Sequence, residues 1–247
     1  MLNGSIPQGS WLGPFSFIVL IDSLKISCPS HKYVDDTTLT ELLSRNQSSC
    51  MDAYFNELQQ WSQANHMLIN EQKTKEIILT SSQQHALSIL KLLNIERVTV
   101  FKLLGTYVSS DLRWNHHVNY IYKRANSRLH FLRQLKRAAV PCKDMLLFYI
   151  AVIRPVMEYA ASVWHTGLTA ELAESIESIQ KRALRIIFGG NSFTISSYHS
   201  FCDSLAISSL HDRRDKLSID FFRNIFTRQA ISIISSPIKD TTTKYIN

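Results

Sequence analysis

The chain has 247 residues, 45% of them hydrophobic and 19% charged, and carries a net charge of +7. That balance excludes a disordered tail, and the length leaves room for one large core or two smaller ones. No run of about 18 apolar residues occurs, as a membrane-spanning helix would need, and Met1 is followed by no basic stretch of the kind that opens a secretory signal. The expectation is an intracellular protein of the cytoplasm or nucleus, neither secreted nor membrane-embedded. Cys28, Cys50, Cys142 and Cys202 are scattered, with no Cys-x-x-Cys pair, and read as reduced packing thiols.

In chain order, a turn at Pro7-Gln8-Gly9-Ser10 leads into an apolar helix ending near Lys25. Next comes Lys32-Tyr33-Val34-Asp35-Asp36-Thr37-Thr38-Leu39, in which strand-forming residues flank two adjacent carboxylates. It predicts a tight hairpin with both acids at its tip. A second helix over residues 48–66 follows from Met51, Tyr54, Leu58 and Trp61 at spacings of three and four. Ile77-Ile78-Leu79 reads as a strand, and residues 98–109 as two short strands around a turn.

The second half is nearly all helical. Val118, Tyr122, Ala125, Leu129 and Leu132 form one apolar stripe. Met145, Tyr149, Val152, Val156, Tyr159 and Val163 form a longer one, which Pro155 should kink. Leu172, Ile176, Ile179, Ala183 and Ile186 form a third, stopped at Gly189-Gly190, and a last helix pair covers residues 195–206 and 209–228. Trp61 and Trp164 read as core, and His116-His117 as helix surface. The expected fold class is α+β: a small mixed sheet with packed helices in residues 1–111, then a helical region in 112–247.

Charge divides along the same line. Residues 1–111 hold 8 Lys and Arg against 10 Asp and Glu, whereas residues 112–247 hold 19 against 10. Residues 112–143 carry eight basic side chains and no acid. A polyanion partner is one reading, and a solvated basic helix face is the other. Asp35 and Asp36 are equally open: a solvated turn, or a pair held together by a divalent cation.

Four segments occur in a telling order: Ile6-Pro7-Gln8-Gly9-Ser10, Tyr33-Val34-Asp35-Asp36, Leu68-Ile69-Asn70-Glu71-Gln72-Lys73-Thr74, and Phe101-Lys102-Leu103-Leu104-Gly105. Together they resemble the reverse transcriptase of non-LTR retrotransposons of the jockey and related groups. The likeness continues through Tyr149, Ile153-Arg154-Pro155, Tyr159 and Trp164, after the polymerase palm of those elements. The resemblance implies a partial palm followed by a helical thumb. It implies templated deoxynucleotide addition, with Asp35 and Asp36 holding magnesium (manganese as the alternative) and Lys73 relieving charge on the leaving pyrophosphate. Gln8, Gly9, Ser10 and Tyr33 would contact template or nucleotide, and Leu104-Gly105 would grip the primer. Lys123, Arg124 and Arg128 would track the nucleic-acid backbone. The implied partners are an RNA template, a DNA primer and deoxynucleotide triphosphates, with no membrane. The family's third carboxylate, on a strand before the Pro-Gln-Gly turn, has no counterpart in the few residues preceding Pro7. The expectation is therefore an RNA-directed DNA polymerase fragment inactive on its own. The alternatives are a nucleic-acid-binding remnant without catalysis and a decayed reading frame.

Overall fold

The computed structural model describes residues 12–44, 47–80, 91–189, 198, 200, 202–203 and 205–235. The Pro7-Gln8-Gly9-Ser10 turn, with Gln8, Gly9 and Ser10, lies outside the described residues, as does half of the helix expected over 195–206. The fold class is α+β, with two compact units, residues 1–101 and 102–247. The division falls at Phe101/Lys102, earlier than the 111/112 boundary drawn from composition. Among the described residues the strands form three separate two-stranded sheets and not one mixed sheet.

In the first unit, α1 (Leu12–Asp22) is apolar on all sides, and none of its residues is buried. The Lys32 ammonium caps the chain just beyond it, donating to the carbonyls of Ile21 (2.8 Å) and Leu24 (2.5 Å). Strands β1 (Ser30–Tyr33) and β2 (Asp36–Leu39) form the expected antiparallel hairpin, with Tyr33 opposite Asp36. Val34 turns the corner at φ 54°, a left-handed conformation that a β-branched residue adopts at a cost of about 1–3 kcal/mol. Helix α2 (Met51–Ala64) buries Phe55 against Leu92 and Ile95, with Met51 and Leu58 beside them. The strand expected at residues 77–79 is displaced. The paired residues are Lys75–Glu76 (β3), parallel to Glu96–Arg97 (β4). Two cross-strand ion pairs fix that register: Lys75 with Glu96 at 2.5 Å and Arg97 with Glu76 at 2.7 Å.

A hairpin of β5 (Val100–Leu103) and β6 (Thr106–Ser109) matches the two short strands expected there. Its turn residues Leu104 and Gly105 sit at φ 45° and 88°, the double left-handed conformation that suits a two-residue hairpin. A Cβ at Gly105 would lie 3.1 Å from the Tyr159 ring.

The second unit is a helical bundle. Helix α3 (Asn115–Arg137) buries Val118, Ile121, Ala125, Leu129 and Leu132. They pack with Ile176, Ile179, Ala183, Leu184 and Ile187 of α7 (Ala170–Phe188). Thr169 caps α7, accepting from the Leu172 amide at 3.3 Å. Between them the chain runs through α4 (Cys142–Phe148), a π turn (Tyr149–Ile153), α5 (Arg154–Glu158), α6 (Ala161–Trp164) and a 3₁₀ turn (His165–Gly167). Helix α8 (Leu210–Ser235) closes the described chain.

The π turn is where Pro155 acts. Proline supplies no amide and its ring crowds the preceding turn, so the chain widens before it. The extra residue shifts the helical register. Ile153 and Met157 are buried, whereas Tyr159 and Val163 of the expected stripe are exposed. Ala160, at φ 51°, then breaks the helix. By length and mean hydropathy, Cys142–Gly167 would suffice to cross a membrane. Here it is four short helical pieces and a 3₁₀ turn, whose Met145, Tyr149, Ile153, Met157 and Trp164 belong to the bundle core.

Inside the core, Gln180 joins three elements. It accepts from the Tyr149 hydroxyl at 2.5 Å and donates to Tyr198 (2.8 Å) and to the Ser208 carbonyl (3.1 Å). Replacing it by methionine keeps the volume but strands the Tyr149 hydroxyl. Gln180→Met should therefore lower unfolding stability by about 1–3 kcal/mol, read from the urea midpoint at unchanged m-value.

Candidate functional site

The acidic tip is exposed on all sides. Tyr33 and Val34 are 62% and 63% exposed, and Asp35 and Asp36 are exposed as well. Among the described residues, no third carboxylate or histidine joins them in a cluster that could hold a metal. Lys73 is exposed, and its backbone amide closes a turn on the Asn70 side-chain oxygen at 3.1 Å. No hydrogen bond or ion pair among the described residues links its ammonium to Asp35 or Asp36. The space beside Gly105 belongs to Tyr159, whose hydroxyl donates to the Leu104 carbonyl at 2.8 Å.

The second unit offers a more developed surface. Helix α3 has no acidic residue, so none of its cations is neutralised within the helix. Lys136 and Arg128 are drawn inward to carbonyls: Lys136 to Ile187 at 2.8 Å, and the half-buried Arg128 to Val152. Arg128 thus ties α3 to the π turn. Lys123, Arg124, Arg133 and Arg137 are exposed, and none is ion-paired among the described residues. Helix geometry explains the split. The buried residues occupy one side, and His116, Asn119, Lys123, Ser127, His130 and Gln134 line the opposite one at spacings of three and four.

Where the β5–β6 hairpin meets α3, aromatic and basic side chains interleave. The Tyr107 and Tyr120 rings meet edge to face at 5.0 Å. Lys102 lies over the Tyr120 ring, 4.7 Å from its centre, and donates to its hydroxyl at 3.3 Å. Arg124 donates to the same oxygen at 3.2 Å. The Lys102 hydrogen bond, aided by the Arg124 charge, holds the Tyr120 hydroxyl below the usual phenol range.

His117 fastens this arrangement. It is fully buried, not at the surface as its sequence position implied, and packs 5.2 Å from the Trp164 ring. Its Nδ1 accepts from the Tyr107 amide at 3.3 Å, joining hairpin to helix. Burial pushes its pKa down to about 4. The sequence signal for it is spacing: His117 stands four, eight and twelve residues before Ile121, Ala125 and Leu129, on the buried side of the same helix.

His165, His211 and Asp215 place three ligand atoms within 4.8 Å of one another. The hydrogen bonds argue against a metal there. Arg214 Nε donates to His165 Nδ1 at 3.2 Å, so the ring proton must sit on Nε2, which donates to Asp215 at 2.8 Å. A metal on Nε2 would expel that proton, and moving it to Nδ1 would set two N–H groups face to face.

A family model described as the N-terminal region of alkylated DNA repair protein alkB homolog 8 matches residues 114–154. That segment spans α3, α4, the π turn and the start of α5. No curated protein and no solved structure matches the chain. The finding overturns the resemblance to a retrotransposon reverse transcriptase. The family matched is a different one, and it matches in the helices that the resemblance assigned to a polymerase thumb. The RNA-directed DNA polymerase function and the retrotransposon origin fall with it.

Two outcomes follow from the histidines. Native His117 takes up a proton only near pH 4, whereas the unfolded side chain does so near 6.5. Between those values the unfolded state binds more protons, so unfolding stability should fall as pH drops from about 6.5 to 4. His117→Gln should flatten that part of the profile, as measured by denaturant titration at each pH. For the His165 cluster, zinc should leave the thermal midpoint unchanged, and a concentration-dependent rise would show that the cluster does bind metal.

Proposed function

We propose that the helical unit binds nucleic acid through its phosphate backbone, without reading sequence and without catalysing polymerisation. The observation that carries this is α3: a helix of 23 residues with no acid, whose exposed Lys123, Arg124, Arg133 and Arg137 are free of ion pairs among the described residues. Unneutralised cations along one helix gain most from a partner with regularly spaced negative charge, because binding releases that partner's condensed counterions. The matched family's description concerns repair of alkylated DNA, and the match falls on this helix. Nucleic acid as the ligand is consistent with that description. An intracellular setting suits such a module, and the cysteines Cys28, Cys50, Cys142 and Cys202 are all free thiols.

Fluorescence anisotropy with mixed-sequence oligonucleotides tests the reading. The expected dissociation constant lies at about 10⁻⁴–10⁻⁶ M at physiological salt, the range of backbone-only binding, with affinity falling steeply as salt rises. Reversing Lys123, Arg133 and Arg137 to glutamate should abolish binding while leaving the circular dichroism spectrum intact. Wild-type protein that fails to bind at low salt would refute the proposal.

A further inference from the structure

We infer that Lys102, Arg124 and Tyr120 form a clamp for a single backbone phosphate at the joint of the β5–β6 hairpin and α3. The inference rests on the nucleic-acid reading and narrows it to one phosphodiester contact. Two cations from different elements converge on one neutral oxygen, at 3.3 and 3.2 Å. Both side chains are exposed, so water screens their mutual repulsion, but the arrangement leaves an ammonium and a guanidinium beside one oxygen with donor hydrogens beyond the one each gives Tyr120. Neither cation is ion-paired among the described residues, and both are exposed. An anion with several acceptor oxygens suits that pair, since it can accept from the ammonium and the guanidinium together.

The geometry is held from behind. Tyr107 packs on the Tyr120 ring at 5.0 Å, and its amide is anchored to His117. Tyr159 fixes the hairpin tip through the Leu104 carbonyl. The two cations therefore come together because the hairpin is docked, not because a flexible lysine wanders near an arginine. Chloride lacks the paired oxygens that would span both donors, whereas a tetrahedral phosphate has them.

The test compares two double neutralisations of equal charge. Lys102→Gln with Arg124→Gln should reduce the slope of log affinity against log salt by about one per cation lost. Lys216→Gln with Arg223→Gln, on α8, should change it little. Equal losses in the two variants would reduce the clamp to a net-charge effect and overturn it. Tight wild-type binding with an unchanged slope in the first variant would overturn the clamp alone. Absence of wild-type binding at low salt would overturn both the clamp and the nucleic-acid reading. Lys102→Arg with Arg124→Lys keeps both charges and should retain binding, so loss through misfolding is told apart from loss of contact. Inorganic phosphate at constant ionic strength is the second arm. Displacement of oligonucleotide beyond that caused by chloride supports the clamp with a lone phosphate as ligand. Loss of affinity in the first variant without such displacement supports it with the polymeric phosphodiester only.

Discussion

The apolar side of α3 must be kept from water, and α7 provides the surface that does it. Val118, Ile121, Ala125, Leu129 and Leu132 are almost wholly inaccessible in that packing. Each of the larger side chains contributes roughly 1.5–3 kcal/mol by leaving solvent. With that side committed, the rotation of α3 about its axis is no longer free. Everything polar on the helix must either face outward or find a partner at the seam. Arg128 and Lys136 take the second course and bond to carbonyls, while Lys123, Arg133 and Arg137 take the first. The basic surface is a consequence of apolar burial acting on a helix that contains no acid.

The seam on the far side of α7 is set by polar groups. Gln180 can satisfy Tyr149, Tyr198 and the Ser208 carbonyl only if the π turn, α7 and the start of α8 are correctly spaced. Glu177 adds a second constraint: one carboxylate oxygen accepts from the Tyr198 hydroxyl and from the Leu210 amide. Burial, reinforced by this carboxylate, drives the Tyr198 hydroxyl far above the ordinary phenol range, so it serves there as a donor. Apolar stripes alone would tolerate sliding along the helix axes. The buried hydrogen bonds do not, because a shifted register would leave them unmade at a cost of about 1–3 kcal/mol each.

Much of this frame was legible in the sequence, for physical reasons. The stripes of α3 and α7 repeat at spacings that only a one-sided helix produces. Tyr33-Val34-Asp35-Asp36 sits between strand formers, and the hairpin is there. Of the stripe after Met145, Tyr149 and Val156 are buried as their spacing implies, but a π turn inserts a residue that periodicity does not announce, so Ile153 and Met157 join the core while Tyr159 and Val163 face outward. Pro155 announced a disturbance but not its form. Nothing apolar marks the strand at Lys75–Glu76, since cross-strand ion pairs and not the run Ile77-Ile78-Leu79 fix it. Spacing with Ile121 and Ala125 places His117 on the buried side, but its role depends on the Tyr107 amide, which only the docked hairpin brings within reach. Of the basic residues singled out, the sequence could not separate Arg128, spent on an internal carbonyl, from Lys123 and Arg124.

Motif order and chemical convergence are different kinds of information, and the two carboxylates show why. Asp35 and Asp36 adjoin in sequence, but at an exposed hairpin tip water screens their repulsion, so the pair requires no cation to exist. Adjacency in the chain therefore says little about ligation. Lys102 stands on a strand and Arg124 on a helix, yet the fold brings both to one phenol oxygen. Their donors are aimed at one point by tertiary structure, and that convergence is what marks the joint as a place for an anion. A site is better recognised by donors that tertiary structure aims at one point than by charges that happen to be neighbours in the sequence.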